Sequence, residues 1–138
     1  MKRASQIGLM VVIGMAVLLL SFAPGPEQKK PWTVPDNAKK VKNPVKSDAE
    51  SISIGKSLYA KHCKSCHGKL GEGDGPKASE LKTSPGDFTA KDFQTQTDAE
   101  LYYKTSEGRD DMPSFKKKIA ETEDIWAIVN FVRTLEAK

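Results

Sequence analysis

The spacing of apolar positions divides the chain into three stretches of different character. An apolar run from Ile7 to Ala23 follows the positive start Met1-Lys2-Arg3, and no charge appears from Ala4 to Pro26. A run of this length behind a basic start reads as an export signal or a short membrane anchor, and either places the rest of the chain outside the cytoplasm. Ser21-Phe22-Ala23 suits a cleavage site, whereas Pro24 opposes cleavage. Residues 1–23 are therefore expected to be a signal peptide or an N-terminal membrane anchor. The next stretch, 24–46, has no periodicity. From Ser47 onward the apolar spacing becomes helical. Ser47-Asp48-Ala49-Glu50 reads as a capping box, with Ile54 and Leu58 four apart on one face. Thr97-Asp98-Ala99-Glu100 is a second box, opening a helix through Leu101 that Gly108 stops. A last helix is predicted from about Thr122, with Glu123 and Asp124 at its positive end. Ile125, Ile128, Val129 and Val132 form its apolar stripe. Between these helices, residues 68–96 carry Gly68, Gly71, Gly73, Gly75 and Gly86 with Pro76 and Pro85, which predicts irregular chain. No segment alternates as a strand does, so residues 47–138 are expected to be one all-α domain. A domain this small, with few large core side chains, commonly completes its core with a metal or cofactor.

Charge sharpens the division. The chain carries a formal +4, but residues 24–46 hold six lysines against Glu27 and Asp36, while 47–138 hold 14 Lys and Arg against 16 Asp and Glu. The basic character belongs to the middle stretch and gives no case for nucleic-acid binding, which needs basic patches on the folded part. Pro24, Pro26, Pro31, Pro35 and Pro44 also fall there, with little apolar side chain beyond Trp32 and scattered valines. Residues 24–46 are therefore expected to be a Pro/Lys-rich flexible tether. Trp32 either pins it to the domain or to a membrane interface, or stays partly exposed.

Chemistry is concentrated at one place. Both cysteines of the chain lie in Cys63-Lys64-Ser65-Cys66-His67. A disulfide across so short a loop adds little, so the thiols are expected to serve chemistry. The pattern C-x-x-C-H is the attachment signature of c-type haem. Two thiols three residues apart at a helix end can each add to one vinyl group of a porphyrin edge, and the adjacent His67 then reaches the iron. A thioredoxin-like dithiol would need a βαβ pattern, and a zinc site would need further ligands that the sequence lacks. For the iron's sixth position Met112 is the candidate. Met1, Met10 and Met15 lie in the leader, and Met112 sits in Asp110-Asp111-Met112-Pro113-Ser114, a polar loop ill suited to core filler. His62 adjoins Cys63 and is expected on the proximal side. The predicted cofactor-binding set is Cys63, Cys66, His67 and Met112, with His67 and Met112 on the metal. A thioether raises the potential relative to a second imidazole, and two protein ligands close the iron to small molecules.

The chain resembles the class I monohaem cytochromes c, particularly small bacterial ones exported to the periplasm. The resemblance covers about residues 47–138. It rests on Cys63, Cys66, His67, Gly68, the stretch Gly71-Glu72-Gly73-Asp74-Gly75-Pro76, Met112-Pro113 and Asp124-Ile125-Trp126. It implies helices wrapped around one covalently bound haem c, with the first and last helices crossing near Gly55 and Phe131. It also implies that the Pro76 carbonyl accepts the ring N–H of His67. Arg109, Tyr102 and Tyr103 either neighbour the haem or its carboxylates or are ordinary surface or core residues. The expected function is single-electron transfer in a respiratory-type chain rather than enzymatic catalysis, between a quinol-oxidising complex and a terminal oxidase or reductase. The expected location is the periplasm, or the periplasmic face of the inner membrane if the leader is retained. Lys116-Lys117-Lys118 either docks an acidic redox partner or is a solvated helix start. A haem enzyme or gas sensor with a labile sixth ligand is the alternative, and a tethered subunit of a larger complex is a third possibility.

Overall fold

The computed structural model describes residues 31–137. The expected leader, 1–23, and the first part of the expected tether lie outside the described residues. Among the described residues six α-helices and one 3-10 turn occur in order: α1 Asp36–Lys39, α2 Ala49–His62, α3 Lys64–His67, the 3-10 turn Ala78–Glu80, α4 Lys91–Gln94, α5 Asp98–Glu107 and α6 Thr122–Arg133. No strand occurs among them; Arg109 and Met112 form an isolated bridge. The all-α expectation holds. No helix among the described residues is long and apolar enough to cross a membrane.

α2 begins one residue later than the first capping box suggests. Asp48 is the N-cap: its Oδ1 accepts from the Ser51 amide at 3.1 Å, and Ser51 Oγ accepts from the Asp48 amide at 3.2 Å. The inward face is Ser51, Gly55 and Tyr59, and Ile54 is left 41% exposed. Gly55 turns inward because α6 crosses there. A Cβ at Gly55 would overlap the Ala127 carbonyl oxygen and lie 3.0 Å from Phe131 Cβ, so only a residue without a side chain allows this approach.

α6 is the axis of the core. Every residue from Ile125 to Val132 is buried, which is wider than the expected four-residue stripe. The reason is that α6 has neighbours on several sides, α2 and α5 among them. α5 carries the predicted reciprocal box: Thr97 Oγ1 accepts from the Glu100 amide at 3.2 Å, and Glu100 Oε2 accepts from the Thr97 amide at 2.8 Å. Arg133, at the end of α6, donates to Asp98 at 2.8 Å and to the Gln94 and Gln96 carbonyls, pinning the segment between α4 and α5.

The tether expectation is corrected over its described part. Residues 32–46 form a strap within the same compact unit as the helices. Val34 is 3% exposed, and α1 lies against α5. Asn43 Nδ2 donates to Asn130 Oδ1 at 2.8 Å and to Asp98 Oδ2 at 3.2 Å. Asn130, buried in α6, returns its own amide to Ser51 Oγ and to the Val45 and Lys46 carbonyls. The strap is held largely by buried amide hydrogen bonds, which contribute to stability without raising the apolar content by which a folded segment is recognised.

Candidate cofactor site

Cys63 ends α2, its amide bonded to the Tyr59 carbonyl at 2.8 Å, and the chain turns at once into the single turn of α3. The His67 amide donates to the Cys63 carbonyl at 3.0 Å, so both cysteines and the histidine lie on one tight turn. Gly68, at φ 82, lets the chain leave, and the buried Tyr59 hydroxyl donates to its carbonyl at 2.9 Å. The glycine-rich loop is then tied back to this turn. The amides of Gly73, Gly75 and Lys77 donate to the carbonyls of His67, Cys66 and Ser65 at 2.9, 3.2 and 2.8 Å, and the Phe88 amide donates to Gly71 at 2.7 Å. The result is an aromatic wall: Phe88 stacks on the His67 ring at 4.3 Å and on Phe93 at 4.6 Å.

Met112 arrives from the opposite end of the sequence on a second built loop. After α5 the chain turns at Gly108, φ 71, where a Cβ would crowd the backbone of Met112, Pro113 and Ser114. Arg109 and Met112 then exchange both backbone hydrogen bonds at 2.9 Å, closing a tight loop in which Asp110 takes φ 52. Aspartate is one of the few residues other than glycine that tolerates this region. Asp111 accepts from the Lys82 amide at 2.8 Å, and Ser114 Oγ donates to the Ser106 carbonyl at 2.7 Å.

These pieces line one cavity of about 290 Å³, whose walls include Cys63, Cys66, His67 and Met112. It lies near the lower end of the size range for cofactor sites. A smaller recess continues inward to Tyr59, Ile128, Val129 and Val132 on α2 and α6. The structure thus brings together all four predicted residues, 49 positions apart at the extremes. Phe88, Phe93, Leu101 and Trp32 also line it and carry no sequence signal beyond being apolar. Of the expected neighbours, Arg109 lines the cavity. Tyr102 and Tyr103 do not; Tyr102 stacks on Trp126 at 4.0 Å in the core. His62 lines the cavity too, edge-on to Phe115 at 5.9 Å, so being next to Cys63 in the chain does not keep it away from the methionine loop. Lys116-Lys117-Lys118 is exposed and not helical; Lys116 pairs with Glu107 at 2.5 Å.

The site's polar groups fit a haem. His67 is 8% exposed, and its buried Nδ1 has no hydrogen-bond partner among the described residues, so the Pro76 carbonyl does not accept from it. Burial pushes the imidazole down to about 4, which keeps it neutral and able to ligate. Burial, then the neighbouring Cys66, pushes the Cys63 thiol up to about 12. Among the described residues no group of three or more His, Cys, Asp or Glu is placed to hold a bare metal ion.

A folded imidazole held below its ordinary 6.5 gives a definite pH dependence. On acidification the unfolded chain takes up the proton first, so stability present above pH 6.5 is lost as the pH falls towards about 4. Thermal unfolding of haem-free protein is expected to show this loss, up to about 3 kcal/mol by pH 4. The His67→Gln variant should lack that component; an equal acid dependence in wild type and variant would rule His67 out as its source.

Residues 50–132 match the family described as cytochrome c oxidase, cbb3-type, subunit III. The chain belongs to that family. It is a monohaem class I cytochrome c domain, with the small all-α fold of that class. It carries covalently bound haem c. Among the solved structures that resemble it are the following two. One chain of the Kuenenia stuttgartiensis reducing HAO-like protein complex Kustc0457/Kustc0458 is 29% identical, with a TM-score of 0.63, matching 80% of this chain and 53% of that one. The KustC0563 c-type cytochrome is 30% identical, with a TM-score of 0.53, matching 60% of this chain and 98% of that one. This cytochrome therefore spans about half the length of the first. No curated protein matches it.

Proposed function

We propose that the domain shuttles single electrons through one haem that Cys63 and Cys66 would hold as thioethers and whose iron His67 and Met112 would ligate, and that it is not itself an enzyme. The observation carrying this reading is that the Cys63–His67 turn and the Met112 loop line the same cavity. Bound there, the haem supplies a one-electron iron couple. The chain's own part is to hold, orient and desolvate. Two thiols on a single tight turn fix one edge of the group. His67, whose buried Nδ1 has no hydrogen-bond partner among the described residues and whose ring is kept neutral by burial, has a nitrogen lone pair to offer. Phe88 and Phe93 keep water from the histidine side. Met112 stands on a loop closed by paired backbone bonds, which restrains the thioether against leaving. Two restrained ligands limit rearrangement between oxidation states, as rapid electron transfer requires.

By the same proposal the domain works outside the cytoplasmic membrane, in the periplasm or tethered to the periplasmic face of the inner membrane through residues 1–23, whose apolar run follows a basic start. It passes electrons from a quinol-oxidising complex to a terminal oxidase or reductase. The cbb3-type oxidase family description supports a respiratory setting. The likeness to a chain in a complex supports a fixed redox partner as well as a diffusing one.

Optical spectra of the purified protein in both oxidation states test the ligand set. The expected result is a low-spin haem whose ferric form shows the weak far-red band of methionine–iron ligation and whose ferrous form binds carbon monoxide poorly. High-spin ferrous iron with fast carbon monoxide binding would instead indicate a gas sensor or haem enzyme. A low-spin ferric form without the far-red band would point to a second histidine, for which His62 is the available residue.

A further inference from the structure

We propose that Trp32, on the N-terminal strap, is a positioning residue that braces the Met112 loop through Arg109. This rests on the ligand assignment above and goes beyond the family match, which begins at residue 50 and so leaves the strap out. Trp32 is half-buried at the cavity wall, with the Arg109 guanidinium 4.6 Å from its ring centroid and Lys104 Nζ at 5.9 Å. Arg109 is also the residue whose amide and carbonyl both bond to Met112 at 2.9 Å. Its guanidinium lies 3.4 Å from the Asp110 carboxylate within the same loop. The ring therefore lies against the one residue that closes the methionine loop.

For Trp32 to brace the loop, the strap must itself be anchored, and it is. Val34, two residues on, is buried, and Asn43 is bonded to Asn130 and Asp98. The Asn43 anchor leads to α5 and α6, the helices flanking the loop, so strap and loop share one framework. Arginine favours stacking on an aromatic face, and partial desolvation strengthens that contact. Lys104 adds a second cation beside the ring and is itself bonded to Gln96. When Trp32 is removed, the Arg109 side chain loses its platform, the closing pair of backbone bonds opens more often, and Met112 spends more time off the iron. The apparent affinity of an external ligand scales with the fraction of time the sixth position is open, and this makes the brace measurable.

The test is imidazole binding to the ferric haem-loaded full chain, monitored by the loss of the far-red band. Trp32→Ala should bind imidazole about tenfold more tightly than wild type, the size expected when a partly desolvated cation–π contact is lost. Trp32→Phe keeps an aromatic face and should stay within about twofold of wild type. Equal affinity in wild type and Trp32→Ala overturns the brace while leaving Met112 as ligand. A wild type without the far-red band removes the ligand assignment, and the brace falls with it. Wild-type protein provides a second measurement that does not depend on how the Ala variant folds. The chain has two tryptophans, so the Trp32 indole N–H resonance is identified by its loss in Trp32→Phe. With Trp32 held at the cavity wall, where the brace needs it, that resonance should differ between the paramagnetic ferric form and the ferrous form. A resonance at the position of a solvated indole in both forms overturns the proposal.

Discussion

Met112→Ala should convert a closed haem into an open one, with carbon monoxide affinity of the ferrous protein rising by about a hundredfold or more. The size comes from occupancy: a ligand bound about 99% of the time leaves the competing site open about 1% of the time, and deletion removes that barrier. The midpoint potential should fall as well, by more than about 59 mV, the equivalent of a tenfold change for a one-electron couple. The direction is set by the soft thioether, which favours ferrous iron. The fold should survive, because Met112 is only partly buried and its loop is held by backbone bonds, by Asp111 on the Lys82 amide and by Ser114 on the Ser106 carbonyl. Carbon monoxide titration and redox potentiometry on haem-loaded protein measure both effects. A low-spin spectrum and potential left unchanged by Met112→Ala would hand the sixth position to another residue, His62 being the one that lines the cavity.

Gly55→Val should be the most damaging single change away from the haem. The inward face of α2 meets the backbone of α6 at Gly55, and the atom in the way is the Ala127 carbonyl oxygen rather than a side chain able to swing aside. Relief requires the two helices to move apart, which opens the packing of Tyr59 against Phe131, whose rings are 5.2 Å apart. Overpacking of well-filled cores typically costs 1–3 kcal/mol, and an obstacle made of backbone places this variant at about 3 kcal/mol or above. For a domain of this size that is a fall in Tm of roughly 12 °C or more. Gly55→Ala gains helix propensity of about 1 kcal/mol, which offsets part of its smaller clash, so it should fall between wild type and valine. Thermal unfolding of the haem-loaded variants gives the order. A valine variant within about 1 kcal/mol of wild type would mean that the crossing is far softer than the structure indicates.

How much of the protein can be read from its sequence depends on how local each signal is. The C-x-x-C-H pattern is complete within five residues, so its chemistry is legible without knowing any contact. The Thr97 box and the Gly108 stop act within one helical turn, and both are found where the sequence puts them. The Asp48 cap is displaced by one residue because aspartate and serine compete for the same role. Ile54 misleads because apolar spacing alone does not say which face turns inward. The face that wins contains Gly55, whose value is the absence of a side chain. The strap is illegible for a related reason: its anchors are Asn43 and Asn130, and buried amide bonds leave no trace in apolar content.

By itself the sequence determined the all-helical class and a candidate haem attachment turn with one methionine to complete it; the crossing of first and last helices came only as what the family resemblance implies. Those conclusions depend on patterns spanning a few residues, where steric preference, capping and thiol chemistry act. Only the tertiary structure decided that Met112 and the Cys63–His67 turn share a cavity, that Tyr102 belongs to the core, that His62 faces the cavity, and that Trp32 lies on Arg109. Each of these depends on which surfaces the helix crossing brings within a few ångströms. That is settled by packing over the whole domain, to which no local pattern corresponds.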